Sequence, residues 1–316
     1  MWFAEPGCDF SPTCGGSPPP GQLGELPAGS RTPIFFTLPN IAGNQPIFVA
    51  LDGAGHVWFT TPNNSMIGEF NIATSKFIGQ WAVTAGTGPW DLTFAGGMIW
   101  YTEHLVSAVG MFNPTTHAFS DIQTPSANTQ PYGITASGNL VWFTENNSTV
   151  ARIGEFNTSN PTTGGISEYL IQASPPSGLT PHLIALDANG HPWWSEGFAH
   201  AVGTLNPQAA TPGVCGNSSG DCVGITEFTL PPPGTCNGGS SHVSGIGLQG
   251  GGSLVWFDDA LASQVGSLNP SNGHFAISTL SNCNAHPHDG LNLDSASPPH
   301  VWWDEEFANN LGRLTQ

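Results

Sequence analysis

The sequence of 316 residues has few basic side chains. Four lysines and arginines stand against 22 aspartates and glutamates, for a formal net charge of −18. A chain with no basic patch cannot neutralise a row of phosphates, which argues against nucleic acid and anionic membrane as partners. The sequence also lacks an apolar run of about 18 residues, so no membrane span is expected.

What the chain has is a repeat. Its core reads Val-Trp-Phe-Thr-Glu, followed by a variable loop and a Gly-containing segment, and its lead tryptophans are Trp58, Trp100, Trp142, Trp193, Trp256 and Trp302. The intervals 58 to 100 and 100 to 142 are 42 residues each, the length of one four-stranded propeller blade. The repeat therefore predicts an all-β protein, a β-propeller of four-stranded blades.

The termini leave the number of blades open. Trp2-Phe3-Ala4-Glu5 matches the repeat core and is followed by matches to two further strands, which favours seven blades with an incomplete first and last blade. Six blades result if residues 1–31 are pendant. In either case residues 1–316 form one propeller domain, which we expect to be a fragment without its terminal strands. The open strand edges also suggest a further option, in which two molecules associate by exchanging strands.

Within each blade the sequence assigns roles to the recurrent residues. The lead tryptophans are interpreted as packing residues, and the glycine of the third strand as a position of close approach. First strands begin after a proline in most blades, and in the last blade this strand is expected over residues 286–293. Residues 206–243 are interpreted as an inserted, cysteine-bearing loop region.

Six cysteines indicate an oxidising compartment. Their positions in loops predict the pairs Cys8–Cys14, Cys215–Cys222 and Cys236–Cys283. We therefore expect an extracellular or periplasmic protein, although no signal sequence is visible at Met1.

Propeller geometry places the candidate site where first strands begin and second strands end. The second strands are expected to end at Glu5, Thr61, Glu103, Glu145, Glu196, Asp259 and Glu305. Opposite them stand residues near the starts of first strands, namely Ile47, Trp90, Tyr132, His182, Ser244 and His288. Aromatic rings, imidazoles and carboxylates at one rim are typical of a ligand or metal site. The alternative for a single glutamate is that it accepts backbone N–H bonds and caps its blade.

The last repeat is the densest part of this rim. His286, His288 and Asp289 open it, and Asp304, Glu305 and Glu306 close its second strand. Imidazole and carboxylate together can hold a divalent cation, or act as a general base and its orienting group.

With its blades aligned, the chain resembles the streptogramin B lyase (virginiamycin B lyase) family of seven-bladed propellers. The segments QPYGITA, VWFTEN, IGEFN and ITEFTLP carry the resemblance. The resemblance implies a carbon–oxygen lyase that opens an ester linkage of a cyclic depsipeptide by elimination, with Mg²⁺ assisting. The family's Glu-Pro-His-Gly motif supplies the base, and a glutamate at the end of the repeat core binds the metal.

Carried over to this chain, the resemblance implies His288 and Glu306 as catalytic residues and Glu306, His286 and Glu305 as candidate ligands of Mg²⁺. His286 replaces the family's glutamate before Pro-His, and Ser244 replaces a second Pro-His histidine. The candidate substrate-binding residues are Trp90, Tyr132, His182, His242 and Ser244. A small-molecule or peptide-like ligand is the expected partner. The alternative function is a non-catalytic extracellular module that binds a polar ligand or a protein.

Overall fold

The structure, a computed structural model, describes residues 1–7, 20–176, 178–248 and 253–315. These residues form 26 strands and four short 3₁₀ helices, which confirms the all-β class. The strands pair in chain order into seven antiparallel sheets, of which the first and the last have three strands. None of the helices in the described ranges is long and apolar enough to cross a membrane.

The chain divides into two compact units, residues 1–140 with 157–163 and residues 141–156 with 164–316. The boundary passes through the fourth sheet. The first three sheets are β1 (Trp2–Glu5), β2 (Gln22–Glu25) and β3 (Ile34–Thr37); β4 (Val49–Leu51), β5 (His56–Thr61), β6 (Met66–Asn71) and β7 (Lys76–Ala82); and β8 (Pro89–Ala95), β9 (Met98–Glu103), β10 (Ala108–Phe112) and β11 (Phe119–Gln123).

The remaining sheets follow the same order. They are β12 (Pro131–Ser137), β13 (Leu140–Glu145), β14 (Arg152–Asn157) and β15 (Ser167–Leu170); β16 (Pro181–Leu186), β17 (Pro192–Glu196), β18 (Ala201–Leu205) and β19 (Ile225–Thr229); β20 (Val243–Leu248), β21 (Val255–Asp259), β22 (Gln264–Asn269) and β23 (His274–Thr279); and β24 (Asn292–Leu293), β25 (His300–Glu305) and β26 (Asn310–Thr315). The 3₁₀ helices of the described residues are Pro62–Asn64, Thr163–Gly165, Gly197–Ala199 and Cys236–Gly239.

The series confirms a β-propeller of seven blades. The alternative of six blades is wrong, because β2 pairs with both β1 and β3 and so residues 1–31 contribute strands to the first sheet. That sheet holds the second, third and fourth strands of a blade, and the last sheet holds the first three, as the repeat predicts.

Strand ends fall where the sequence places them. All seven second strands end at the predicted residue, from Glu5 to Glu305. In three of the complete sheets the first-strand start pairs with the second-strand end, as Pro89–Glu103, Pro181–Glu196 and Val243–Asp259. The two sets of rim residues therefore meet within these sheets.

The first strand of the last blade is shorter than predicted. Only Asn292–Leu293 pairs as β24, whereas the sequence analysis expects strand over residues 286–293. The reason lies in the backbone: His286 and Asp289 have φ values of +52° and +64°, which lie in the left-handed region and cannot continue a strand.

The lead tryptophans pack as predicted. Trp58, Trp100, Trp142 and Trp256 are buried, and Trp302 is half-buried. Trp58 packs with Ile99 and Phe112 of the following sheet, so the indole fills the space between two blades.

The glycine of each third strand lies against the aromatic residue that follows the lead tryptophan. A Cβ on Gly68 would stand 2.0 Å from Cζ of Phe59, and one on Gly110 would stand 2.0 Å from Cζ of Tyr101. The predicted close approach is therefore confirmed, and the approaching group is a ring of the neighbouring strand.

A hydroxyl near the end of four second strands donates to the next blade. Each accepting group is the backbone carbonyl of a rim residue. The pairs are Thr60 to Trp90 (2.5 Å), Thr102 to Tyr132 (2.6 Å), Thr144 to His182 (2.5 Å) and Ser195 to Ser244. The main chain of each of these rim residues is thus fixed by the sheet before it.

Two of the predicted disulfides are present, Cys215–Cys222 and Cys236–Cys283. The predicted pair Cys8–Cys14 lies outside the described residues. Cys215 and Cys222 belong to the segment interpreted as an insertion, and that segment also contains β19, the fourth strand of its sheet.

Candidate functional site

Three histidines of the second unit meet at one point. One ring nitrogen from each of His182, His242 and His288 lies within 4.8 Å of the others. The ring centroids are 4.9 Å apart for His182 and His242 and 5.3 Å apart for His242 and His288. His182 is buried, and the other two are half-buried. Because these histidines come from three consecutive sheets, only the fold brings them together.

His182 is held on every side. Its carbonyl accepts the hydroxyl of Thr144, and its Nδ1 lies 3.1 Å from the amide nitrogen of Asn146, which also donates to Pro181 O at 3.0 Å. Its Nε2 lies 3.2 Å from Oδ1 of Asp289. The amide nitrogen of Asn146 is a donor, so Nδ1 of His182 accepts, and Nε2 directs its proton toward the carboxylate.

Asp289 is the anion at the centre of the group. Its Oδ1 accepts the hydroxyl of Ser244 at 2.5 Å, and its Oδ2 lies 3.7 Å from Nδ1 of His288. Burial raises the pKa of Asp289. His288, His182 and the Ser244 hydroxyl together lower it by more than this, so the pKa lies well below its ordinary value. Asp289 is therefore ionised, and it interacts with three predicted site residues, His182, Ser244 and His288.

The backbone at Asp289 is also unusual, because its φ is +64°. The Pro-His-Gly motif of the resemblance has glycine at this position, and glycine adopts positive φ without penalty. Here the chain keeps the glycine-like backbone but adds a carboxylate under the imidazoles. An aspartate in this conformation costs about 1 kcal/mol, which indicates that the surrounding contacts hold it there.

His242 and His288 are uncharged. Burial, together with His182 and His288, lowers the pKa of His242 to about 3. Burial also lowers the pKa of His288, although Asp289 and Glu306 partly offset the effect. Both rings are therefore neutral near pH 7 and present a nitrogen lone pair.

Two further carboxyls interact electrostatically with Asp289. Asp304 accepts the backbone N–H of His288 at 3.0 Å, and Asp258 accepts that of Gly245 at 2.7 Å. Burial raises the pKa of both well above the ordinary value; Asp304 adds to the effect at Asp258, and Asp289 adds to it at Asp304. Of this group of acids, Asp289 alone has a depressed pKa, because it alone faces the imidazoles.

His286 and Glu306 form the outer edge of the group. Nδ1 of His286 lies 2.9 Å from Oε2 of Glu306, and the same oxygen lies 4.0 Å from Nδ1 of His288. The backbone joins the two segments as well, because Glu306 N donates to His286 O at 3.2 Å. The sequence analysis places His288 and Glu306 on one rim, and the structure brings them there.

Two exposed phenylalanines flank the histidines. Phe198 stacks on His242 with ring centroids 4.5 Å apart, and Phe307 stacks on His286 at 4.1 Å. Their side chains are 61% and 66% exposed, so the outer face of each ring is open to a ligand. Each follows the end of a second strand by two positions, a spacing that the sequence analysis did not use.

The remaining predicted site residues have other contacts. The carboxylate of Glu305 accepts from Trp303 Nε1 at 3.3 Å and from Asn310 at 3.5 Å, within its own sheet and its connection. Trp90 and Tyr132 belong to the first unit, where their rings lie 5.4 Å apart and each lies near His104. This second cluster is aromatic, whereas the cluster at Asp289 is polar.

The glutamates that end three second strands do not suit a ligand role, and the capping interpretation is not supported either. The carboxylate oxygens of Glu103 and Glu145 accept no backbone N–H bond from the described residues. Glu196 accepts from the indole of Trp194. Glu103, Glu145 and Glu196 have no exposed surface. Burial raises the pKa of Glu103 to about 7 and that of Glu145 to about 9. Such carboxyls are protonated in part or in full near neutral pH and are not cation ligands at an open rim.

Phe198 and Phe307 are the site residues that sequence reasoning missed. They occupy ordinary repeat positions, and only the three-dimensional arrangement distinguishes them. Asp289 and Asp304 were placed in the last repeat with the imidazoles, but the contacts of Asp289 with His182 and Ser244 were not predicted.

Comparison with known proteins supports the same fold. No family model matches the sequence, and no curated protein matches it significantly. A solved streptogramin B lyase structure is 24% identical with a TM-score of 0.67, over 86% of this chain and 80% of that one. Virginiamycin B lyase from Staphylococcus aureus is 26% identical with a TM-score of 0.68, over 86% and 81% of the two chains.

The same enzyme from Staphylococcus aureus has also been solved with quinupristin, as a catalytically inactive variant in which one histidine is replaced by alanine. That structure matches this chain equally well, with 26% identity and a TM-score of 0.68. The resemblance seen in the repeats is thus confirmed at the level of structure: this chain has the seven-bladed propeller fold of the streptogramin B lyases.

Proposed function

We propose that the protein is a carbon–oxygen lyase that opens an ester or lactone linkage in a cyclic depsipeptide or a related compound by elimination. The observation that carries this proposal is the placement of His288, a neutral imidazole whose Nδ1 faces the carboxylates of Asp289 and Glu306 at 3.7 and 4.0 Å. The resemblance matches this histidine with the base of the family.

In the proposed reaction the free nitrogen of His288 removes a proton from the carbon next to a carbonyl group. The electrons of the broken C–H bond form a C=C bond. The ester C–O bond breaks, and the leaving carboxylate keeps the electron pair of that C–O bond. No water is consumed. Asp289 and Glu306 stabilise the imidazolium that forms, in the way a carboxylate orients a histidine base.

The Mg²⁺ that the resemblance implies needs a set of oxygen ligands in octahedral geometry. Around His288 the exposed oxygen donor is Glu306, whose Oε2 already lies 2.9 Å from His286, and Glu305 bonds within its own sheet. This donor set, rich in imidazole, does not fit Mg²⁺, and no step is assigned to the ion. Binding of Mg²⁺ through Glu306, His286 and Glu305 stays a prediction that titration tests.

The proposal is tested with quinupristin as the substrate. Elimination opens the ring and leaves the mass unchanged, whereas hydrolysis adds one water, so mass spectrometry after liquid chromatography separates the two. We expect an isomeric linear product from the wild type, none from His288→Ala, and full activity from His274→Ala, which removes an exposed histidine of β23. An equally active, folded His288→Ala protein contradicts the mechanism.

A second candidate function is a non-catalytic module that binds a polar ligand or a protein partner. The open faces of Phe198 and Phe307 beside the histidines favour it, because stacking platforms at a polar centre suit binding as well as turnover. A calorimetric titration that shows quinupristin binding, with no isomer formed over a day, supports this candidate over the lyase.

We further propose an extracellular or periplasmic location, which the two disulfides support. Self-association through open strand edges stays a prediction. Light scattering tests it, and a strict monomer at high concentration contradicts it.

A further inference from the structure

The three histidines that meet above Asp289 have a ligand chemistry that the proposed lyase does not use. Three imidazoles are the donor set of a catalytic-type Zn²⁺ site, in which three protein ligands leave a fourth position open, and a carboxylate is a further ligand that Zn²⁺ accepts. Imidazole donors favour Zn²⁺, Co²⁺ and Ni²⁺ over Mg²⁺ and Ca²⁺. We propose that His182, His242 and His288, with Asp289, bind one divalent transition-metal ion of the Zn²⁺ class.

The spacing of the ligand atoms supports this site. At a Zn–N distance of about 2.1 Å, adjacent ligands of a tetrahedral ion stand about 3.4 Å apart. Nε2 of His182 and Oδ1 of Asp289 are 3.2 Å apart, which already matches that value. The histidine nitrogens lie within 4.8 Å of one another, so side-chain rotations that close about 1.4 Å complete the sphere.

The supporting contacts are those that metal sites use. Metal-binding histidines are oriented by outer partners that fix the ring. Here the carbonyl of His182 is held by Thr144, the ring of His242 stacks on Phe198, and the backbone N–H of His288 donates to Asp304. Ser244 holds the carboxylate of Asp289 from below. Each donor residue therefore has its own support.

Binding requires one rearrangement at His182. Without an ion, the proton on Nε2 points to Asp289; an ion at Nε2 displaces that proton, and the ring must carry its remaining proton on Nδ1. The side-chain amide of Asn146 then turns to offer its oxygen to Nδ1, and its bond to Pro181 O is lost. Loss of this bond leaves the carbonyl of buried Pro181 without that donor, which costs about 5- to 150-fold in affinity at about 1.4 kcal/mol per tenfold change. This is small beside the affinity of structural zinc sites, whose dissociation constants are about 10⁻⁷ M or lower.

The test uses Co²⁺, whose visible absorption reports on its ligands, with the untagged full chain. We expect one Co²⁺ per chain with the absorption of a four- or five-coordinate ion, displaced by Zn²⁺ and not by excess Mg²⁺. His182→Ala and His242→Ala should each weaken binding by more than the roughly 100-fold that loss of an outer partner costs. His274→Ala is the matched control and should bind as the wild type does.

Glu306→Gln separates this site from a cation bound at the outer edge. It should leave the Co²⁺ spectrum unchanged, because Glu306 contacts His286 and is not one of the four proposed ligands. The proposal is overturned if the wild type shows no Co²⁺ absorption, if both histidine variants keep it, or if Glu306→Gln abolishes it. Circular dichroism verifies that each variant is folded, and two independent histidine variants guard against the failure of one.

The measurement contains no substrate, so its result is independent of the lyase proposal. The two proposals meet at His288, because an ion that takes the nitrogen lone pair leaves no base for elimination. If both hold, stoichiometric Zn²⁺ inhibits the elimination by the wild type, and removal of the ion with a chelator restores it.

Discussion

The fit between Gly68 and Phe59 gives the sharpest stability prediction. A Cβ on residue 68 would lie 2.0, 2.4 and 2.5 Å from Cζ, Cε2 and Cε1 of Phe59, against 3.4 Å or more for ordinary contact. The ring cannot move aside, because it is fully buried and packs with Leu23 and Phe70. Gly68→Ala therefore forces an overlap of about 1.4 Å into a filled core, and the expected loss in free energy of unfolding is about 3 kcal/mol, the upper end for overpacking.

Urea unfolding followed by fluorescence measures this loss. Gly164→Ala is the control, since a Cβ there meets nothing within 4 Å and the variant should match the wild type or gain up to about 1 kcal/mol. Phe59→Leu alone should cost about 1–2 kcal/mol through the lost ring. Combined with Gly68→Ala it should cost at least about 1 kcal/mol less than the sum, because the shorter side chain leaves room for the methyl group. A loss below about 0.5 kcal/mol for Gly68→Ala, or strict additivity, refutes the reasoning.

Three further predictions concern pH and the disulfides. Burial raises the pKa of Glu103 from 4.5 to about 7, so the free energy of unfolding falls as pH rises through this window. The free energy of unfolding of Glu103→Gln should therefore exceed that of the wild type by about 3 kcal/mol at pH 8 and match it near pH 4. Equal differences at both pH values contradict this. Burial raises the pKa of Asp52, but hydrogen bonds from backbone N–H groups and from His56 lower it by more than this, so the stabilisation by Asp52 is present above about pH 4 and is lost in acid. Asp52→Asn should therefore lower the free energy of unfolding by about 1–2 kcal/mol at neutral pH. A loss that persists in strong acid contradicts the assignment. Replacing Cys236 and Cys283, 47 residues apart, by serine should cost about 4 kcal/mol from chain entropy, measured by urea unfolding, and an unchanged midpoint refutes the estimate.

Most of the fold could be predicted from the sequence because every copy of the repeat carries the same strand signals. Trp58, Trp100 and Trp142 fix the period, and each copy then places its own second-strand end, which the structure reproduces at every blade. The prediction was wrong at residues 286–291, where positive φ at His286 and Asp289 ends the expected strand early. Neither residue is a glycine, so the only sign of left-handed backbone was the glycine that the family motif has at the position of Asp289.

The candidate site was only partly predictable. His288 and Glu306 were placed on one rim by their repeat positions, and their nitrogen and oxygen lie 4.0 Å apart. The contact between His182 and Asp289 joins residues more than a hundred positions apart in the chain, and it depends on side-chain rotamers that no repeat pattern specifies. The burial that makes His242 a neutral imidazole is likewise a property of the packed structure.

The hydroxyl donated from one blade to the next has a consequence for how such a protein can change its ligand. The acceptors at Trp90, Tyr132, His182 and Ser244 are main-chain carbonyls, so the anchoring does not depend on which side chain the residue bears. An indole, a phenol, an imidazole and a small alcohol therefore occupy equivalent backbone positions, each held by the same type of hydrogen bond. Exchange of these groups by mutation can therefore redirect recognition while the scaffold keeps its register, and new specificities need not wait for a new backbone.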